Sequence, residues 1–271
     1  MSKVILITGA SSGMGKTTAK LLLKKGFVVY GAARRIDKMS DLKQLGAKIL
    51  HMDVTKDSTM VSGVEEIIKN EGRIDVLINN AGFGSYGAIE DVSIEDARYQ
   101  LDVNVFGAVR LMQLVVPYMR KNQFGKIVNI SSIGGKLANP FGGWYHASKF
   151  ALEALSDSLR MEVKHFGIDV IVIEPGGVKS EWSDIAMKNA RKVSEKGVYG
   201  TMVDKMIETG EKFKDKNAEP EVIANLILKA MTVSKPQTRY SGGFMAKPLL
   251  LMKKVLSDKM MDKIILGQFK N

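Results

Sequence analysis

Six short, nearly continuous apolar runs punctuate the chain: "KVILITG" (3–9), "FVVYGAA" (27–33), "KILHMDV" (48–54), "IDVLINN" (74–80), "GKIVNIS" (125–131) and "IDVIVIEPG" (168–176). Strands covered on both faces need apolar residues in continuous rather than alternating order. Between the runs lie segments with helical spacing, such as "MGKTTAKLLLKKG" (14–26) and "SKFALEALSDSLRMEVKHFG" (148–167), the second stopped by a glycine. The repeated strand and helix order predicts an α/β fold, a doubly wound parallel sheet flanked by helices, with ligands at the carboxyl ends of the strands.

The pattern changes after the sixth run. Residues 179 to about 217 are charged, Met-containing and weakly periodic. A mobile helical lid over a site and a pair of surface helices both fit, and the two are compatible. Further on, apolar residues at 249–252, 255, 256, 260, 261 and 264–266, opened by Pro248, predict one amphipathic helix over about 248–266. That helix can cover a substrate pocket, pair with another subunit, or make weak contact with an anionic membrane surface through its lysines, with packing on the protein's own body as the default.

No repeat or low-complexity linker divides the 271 residues, so a single domain over 1–271 is expected. Hydrophobic residues make up 45%, enough to bury a core. Cysteine is absent, which removes disulfides, thiolate metal sites and cysteine nucleophiles together and fits a reducing cytoplasm. His51, His146 and His165 lack ligand spacing, so no metal is expected and all three read as structural or surface residues. No apolar run approaches the roughly 20 residues of a membrane span, and the first residues do not form a signal-peptide pattern. The net charge of +11 is scattered, with neither a basic block nor an aromatic-interleaved stripe, so nucleic acid is not expected as a partner.

The first strand–helix junction reads "TGASSGMG", in which Gly9, Gly13 and Gly15 alternate with Ser11, Ser12 and Met14. A backbone that passes close to a pyrophosphate, with helix N-terminal N–H groups aimed at it, favours residues without Cβ. After the second run, an acidic side chain would hold the ribose 2′-hydroxyl of NAD, whereas arginine takes a 2′-phosphate. Here Ala32 and Ala33 precede Arg34 and Arg35, which predicts NADP(H), with Arg34 the first phosphate ligand and Arg35 the second. The bland alternative makes both surface arginines, and Asp37 stands nearby.

"WYHASK" sets Tyr145 and Lys149 four apart, on one face of a helix and roughly 5–6 Å apart at Cβ. A tyrosine hydroxyl can polarise a carbonyl oxygen and deliver a proton as hydride arrives. Free tyrosine has a pKa of roughly 10; a cation about 4 Å away is worth roughly 4 kcal/mol at an effective dielectric near 20, which lowers that value before desolvation takes some back. Lys149 is the expected source of the shift. Taken singly, Tyr145 reads equally as a half-buried aromatic and Lys149 as a solvated helix residue.

Thr8, Gly9, Gly13 and Gly15 match the T-G-x-x-x-G-x-G turn of the short-chain dehydrogenase/reductase family, whose fold is Rossmann-type, and "NNAG" (79–82) resembles its signature after the fourth strand. Ser132, Tyr145 and Lys149 show the spacing of that family's triad, and the resemblance runs motif by motif from residue 3 to about 181. It implies a catalytic set of Asn104, Ser132, Tyr145 and Lys149. In that set Ser132 bonds the substrate oxygen, Lys149 also reaches the nicotinamide ribose, and Asn104 orders a proton-relaying water. It implies cofactor contacts from the turn residues, from Asp53 and Val54 around the adenine, from Asn80, Ala81 and Gly82, from Tyr145 and Lys149, and from Pro175, Gly176, Val178 and Ser180 near the nicotinamide. Asp53 reads equally as an N-cap for the next helix, and Ser131 as a strand-end hydrogen-bonding residue. The resemblance also implies a homodimer or homotetramer built on long helices around 96–120 and 146–165.

Phe83, Tyr86, Phe141, Trp144 and Trp182 flank these motifs and suggest an apolar pocket, although aromatics near a sheet also serve as core. The combined expectation is a cytoplasmic NADP(H)-dependent carbonyl reductase or alcohol dehydrogenase for a lipophilic small molecule. A non-catalytic NADPH-binding sensor, which needs only the glycine turn and "AARR", is the alternative. A nucleic-acid-binding module and an isomerase without net redox change are further rivals.

Overall fold

The computed structural model describes residues 2–268; Met1 and residues 269–271 of the expected single domain lie outside the described residues. Seven strands form one sheet: β1 (Val4–Thr8), β2 (Val28–Ala33), β3 (Lys48–His51), β4 (Val76–Asn79), β5 (Gly125–Ile130), β6 (Ile168–Pro175) and β7 (Arg239–Gly242). Their order is β3-β2-β1-β4-β5-β6-β7 and every pairing is parallel. The winding therefore reverses between β1 and β4, where such sheets open a ligand crevice. The helices are α1 (Gly13–Lys24), α2 (Ser40–Gln44), α3 (Asp57–Glu71), α4 (Ile94–Leu101), α5 (Gly107–Lys121), α6 (Gly143–Val163), α7 (Glu181–Ser194), α8 (Gly200–Phe213), α9 (Pro220–Thr232), α10 (Ala246–Val255) and α11 (Asp258–Gly267).

Alternate residues of β1 show why the runs are continuous. Ile5 and Ile7 join Ala19 and Leu22 of α1 and Ile223 and Ile227 of α9 on one face. Val4 and Leu6 join Val64 and Ile67 of α3 and Leu111 and Val115 of α5 on the other. Each Val, Leu or Ile among them, fully buried, contributes roughly 1.5–3 kcal/mol. A third cluster stands apart from the sheet: Tyr86, Phe141 and Tyr145 gather Ala186 and Ala190 of α7 with Val203, Met206 and Ile207 of α8. The segment expected over 179–217 is thus a helix pair packed around Tyr145. Among the described residues no helix is long and apolar enough to cross a membrane.

Two elements depart from the sequence expectation. β7 belongs to none of the six apolar runs; it is an edge strand paired only with β6, and of its four residues only Tyr240 is buried. An edge position with one such residue needs no continuous apolar run. The C-terminal segment, expected as one helix, is two. Leu256 is extended (φ −96°, ψ 146°), and Ser257 takes the N-cap position of α11, its carbonyl accepting from the N–H groups of Met260 and Met261 at 3.0 Å each. The break has a packing reason: Leu249 and Ile265 line the same cleft, whereas one straight helix would hold them about 24 Å apart.

Candidate active site

The turn after β1 is shaped by its glycines. Gly9 and Gly13 have φ of +67° and +51°, the left-handed region that a Cβ disfavours. A Cβ on Gly15 would run into the Gly9 carbonyl and the Asn80 side chain. Asn80 laces the two strand ends at the reversal: its Nδ2 donates to the Thr8 carbonyl (3.0 Å) and the Gly9 carbonyl (3.3 Å). The Thr8 hydroxyl accepts from the N–H groups of Asn80 (3.1 Å) and Ala81 (3.0 Å) in return.

A cleft of about 320 Å³ opens beside this turn, lined by Gly9, Ser11, Ser12, Gly13, Met14, Gly15, Arg34, Arg35, Asp53, Val54, Asn80, Ala81 and Gly82. Arg34 Nη1 donates to the Tyr99 hydroxyl (2.8 Å). Arg35 Nη2 donates to Ser12 Oγ (3.3 Å) and Ser11 Oγ (3.5 Å) and pairs with Glu181 at 3.5 Å. Asp37 is exposed and does not line the cleft. Asp53 closes a local turn, its Oδ1 accepting from the Thr55 N–H (3.0 Å) and hydroxyl (2.8 Å). Burial pushes its pKa up, but the Thr55 bonds and the Arg34 charge more than offset this and hold it below the ordinary value. Lys56, not Asp53, is the N-cap of α3. The lining fits a dinucleotide: a Cβ-free backbone at a helix N-terminus for phosphates, two guanidinium groups, and no carboxylate among the residues that end β2.

A second cleft of about 340 Å³ shares Met14, Asn80, Gly82, Ser180 and Trp182 with the first. Ser132, Tyr145, Lys149, Pro175, Gly176 and Val178 line it. Ser132 caps a short 3₁₀ turn, its Oγ accepting from the Gly134 N–H (3.0 Å), and the hydroxyl reaches the Pro175 carbonyl (3.5 Å). Tyr145 sits in the first turn of α6 and is buried. Lys149 Nζ donates to the Ile130 carbonyl (2.8 Å) and stands 5.9 Å from the centroid of the Tyr145 ring.

The protonation balance corrects the sequence expectation. Burial pushes the Tyr145 phenol up to about 12, and the hydrogen bond with Ser132 only partly opposes it. Burial also pulls the Lys149 ammonium down to about 8, against the upward pull of Glu153. At each group desolvation outweighs what opposes it, the Ser132 bond at Tyr145 and the Glu153 charge at Lys149, because both side chains are buried in one wall of the cleft.

Asn104 lines neither cleft. It is buried within a π turn (Asp102–Phe106) between α4 and α5, the kind of local widening that recurs at functional sites. Its Oδ1 accepts from the Phe83 N–H (3.0 Å), and its Nδ2 donates to the Phe83 carbonyl (2.9 Å) and Ser148 Oγ (3.0 Å). Gly82 permits this approach, since a Cβ there would stand 3.2 Å from Asn104 Oδ1 and 3.6 Å from Lys149 Nζ. Gly176 is fixed by its N–H bond to the Gly242 carbonyl (2.8 Å), a role of the unexpected strand β7. Ser131 bonds through its backbone N–H to Ile173 (2.8 Å), while its buried hydroxyl has no partner among the described residues.

His146 is a structural residue: buried, its Nδ1 bonded to the Gly134 carbonyl (2.9 Å) and its Nε2 accepting from the Asn139 N–H (3.2 Å). Of the five flanking aromatics, Tyr86 and Trp182 wall the second cleft, Phe83 lines the first, and Phe141 and Trp144 line neither. Leu137 and Asn139 also line the second cleft, and no sequence signal marked them; Asn217 at the end of the expected lid segment and Leu249 and Ile265 of the C-terminal segment join them. Glu153 was missed too, although its place four residues after Lys149 repeats the Tyr145–Lys149 interval. It is buried and pairs with Lys136 (2.8 Å) and Arg239 (2.9 Å), and Arg239 in turn holds Asp157 (2.6 Å).

A turn of small residues at the sheet reversal, joined to a cleft where serine, tyrosine and lysine meet, defines a nucleotide-dependent oxidoreductase site. The chain belongs to the short-chain dehydrogenase/reductase family: the family model described as short chain dehydrogenase matches residues 3–218. Members act on alcohol or carbonyl groups with NAD(P), and so does this oxidoreductase. It is 38% identical to a 3-ketodihydrosphingosine reductase of Bacteroides thetaiotaomicron, over 96% of this chain and 95% of the relative. It is 34% identical to an NADPH-dependent 3-dehydrocapnine reductase of Ornithobacterium rhinotracheale, over 98% and 96%. A crystal structure of a short-chain dehydrogenase from Streptomyces avermitilis superposes with a TM-score of 0.82 at 30% identity, covering 98% of this chain and 96% of that one.

Proposed function

We propose that the chain is an NADP(H)-dependent carbonyl reductase that takes a lipophilic ketone or aldehyde, or in reverse the matching alcohol. The observation that carries this reading is the meeting of the Ser132 and Tyr145 hydroxyls with an apolar wall made by Tyr86, Leu137, Trp182, Leu249 and Ile265. The two relatives named as reductases, one of them NADPH-dependent by name, support it.

In this reading the Gly9–Gly15 turn and the N-terminus of α1 hold the pyrophosphate, Arg34 and Arg35 the 2′-phosphate, and Asp53 and Val54 the adenine. Pro175, Gly176, Val178 and Ser180 flank the nicotinamide, which when bound supplies the hydride. Ser132 donates a hydrogen bond to the carbonyl oxygen, and Tyr145 delivers its proton to the same atom. Lys149 places a positive charge beside the phenol as it becomes anionic. Asn104 ties the Phe83 backbone to α6 and so positions both. The α7–α8 pair serves as the lid, with Trp182 closing over the junction of the clefts and excluding water. Assembly as a homodimer or homotetramer uses α4–α5 and α6, whose Ile94, Phe106, Phe150 and Met161 are exposed.

A panel of aliphatic and aromatic ketones and aldehydes, followed by NADPH absorbance, tests this. Tyr145→Phe is expected to lower turnover by about 10²–10⁴-fold with NADPH binding retained. Unchanged turnover would remove Tyr145 from the chemistry, and NADPH binding without turnover of any carbonyl would favour a sensor.

A further inference from the structure

The helices α10 and α11 have two-sided surfaces. Their inner sides carry buried Ala246 and Met261 and give Leu249 and Ile265 to the cleft that holds Tyr145. Their outer sides carry apolar residues in water: Leu251 is 63% exposed and Val255 68%, one turn apart on α10, and Met260 is 51% exposed and Ile264 38%, one turn apart on α11. Lysines border both pairs. Lys247, Lys254, Lys259 and Lys263 are exposed, while Lys253 pairs with Asp258 at 2.6 Å. Five lysines stand against two aspartates between residues 245 and 268, on a chain whose net charge is +11.

We infer that the outer face of α10 and α11 docks on an anionic lipid membrane. Apolar side chains enter the boundary between headgroups and acyl chains, and the lysines meet the anionic headgroups. Charge complementarity selects this partner over a second copy of the chain: a two-fold contact sets one patch against itself and would bring the same lysines face to face. The wall behind this face is the wall of the catalytic cleft, so docking sets the cleft at the bilayer surface. The docking stands on the surface alone; transfer of a substrate from bilayer to cleft rests on the proposed reductase reading.

Sedimentation of the full-length protein with vesicles tests the docking without any turnover. Vesicles of phosphatidylcholine with roughly one-third phosphatidylserine should carry the protein down, and pure phosphatidylcholine should carry far less. Lys254→Gln with Lys259→Gln is expected to weaken binding about fivefold per lysine removed, and added salt to weaken it further. Leu251→Asp with Val255→Asp should abolish the pelleted fraction, with melting temperature and NADPH binding as checks on the fold. Absence of wild-type protein from the anionic pellet overturns the inference. So does equal pelleting of the lysine variant, or a wild-type oligomer that the Leu251 and Val255 changes dissociate while vesicle binding is unaltered. Wild-type protein that turns over a carbonyl but stays out of the anionic pellet would sink this inference and leave the reductase reading standing.

Discussion

The Trp182 indole lies against the Tyr145 phenol, with ring centroids 4.8 Å apart and planes inclined by 55°. Trp182 belongs to α7 and Tyr145 to α6, so a single ring contact joins the covering helix pair to the reactive group. Gly84 makes room for it, since a Cβ there would stand 2.5 Å from the indole.

Trp182→Ala removes an aromatic contact worth about 0.5–1.5 kcal/mol, and KM for a lipophilic carbonyl should rise roughly 2- to 12-fold. Trp182→Phe should retain most of the affinity. Steady-state kinetics on both variants, with protease cleavage within 181–213 as a second readout, checks this.

Coenzyme choice should follow the arginines. A charge-assisted contact to a phosphate is worth about 1.5–3 kcal/mol, so Arg34→Ala and Arg35→Ala should each weaken NADPH by roughly 10- to 100-fold and NADH much less. Fluorescence titration with the two coenzymes measures the difference. Equal losses for both would place the 2′-phosphate elsewhere.

The depressed pKa of Lys149 has two consequences of opposite kind. The ammonium is lost as pH rises through about 8, so the reductive rate should fall above that pH. Stability should move the other way. An unfolded lysine keeps its proton up to its ordinary 10.5, so between about 8 and 10.5 the unfolded state binds more protons and the folded state gains stability as pH rises. Denaturant unfolding of wild type and Lys149→Met from pH 7 to about 9 should show this gain only in wild type, the upper limit lying below the range around 10 where an unfolded tyrosine ionises.

Glu153→Gln takes a buried carboxylate from Lys136 and Arg239; both cations are partly exposed and Arg239 keeps Asp157, so the cost should fall below the about 3–5 kcal/mol of breaking a fully buried pair. A lower urea midpoint is expected. Because Glu153 pulls the Lys149 pKa upward, the alkaline limb of the pH–rate profile should also move to lower pH. A purely structural role would lower the midpoint and leave that limb in place.

All six apolar runs contain strands, because a parallel strand covered on both faces needs the residue types that a run displays. β7 was not legible: "RYSG" has no run, and its place is decided by pairing with β6. The glycine turn was legible because its backbone needs are local. Leu249 and Ile265 were legible only as positions of an amphipathic helix with pocket cover among its uses; their meeting in one cleft depends on the extended residues Leu256 and Ser257. His146 reads alike as surface or core until Gly134 and Asn139 are seen to close on it.

By itself the sequence determined the strand and helix succession, the Cβ-free turn and the Tyr145–Lys149 interval, since each rests on neighbours within a few residues and on burial that composition records. Tertiary structure decided the rest. The upward shift of Tyr145, the Glu153 cluster and the apolar wall opposite the phenol arise where segments distant in the chain exclude water together, and local pattern holds no measure of that exclusion.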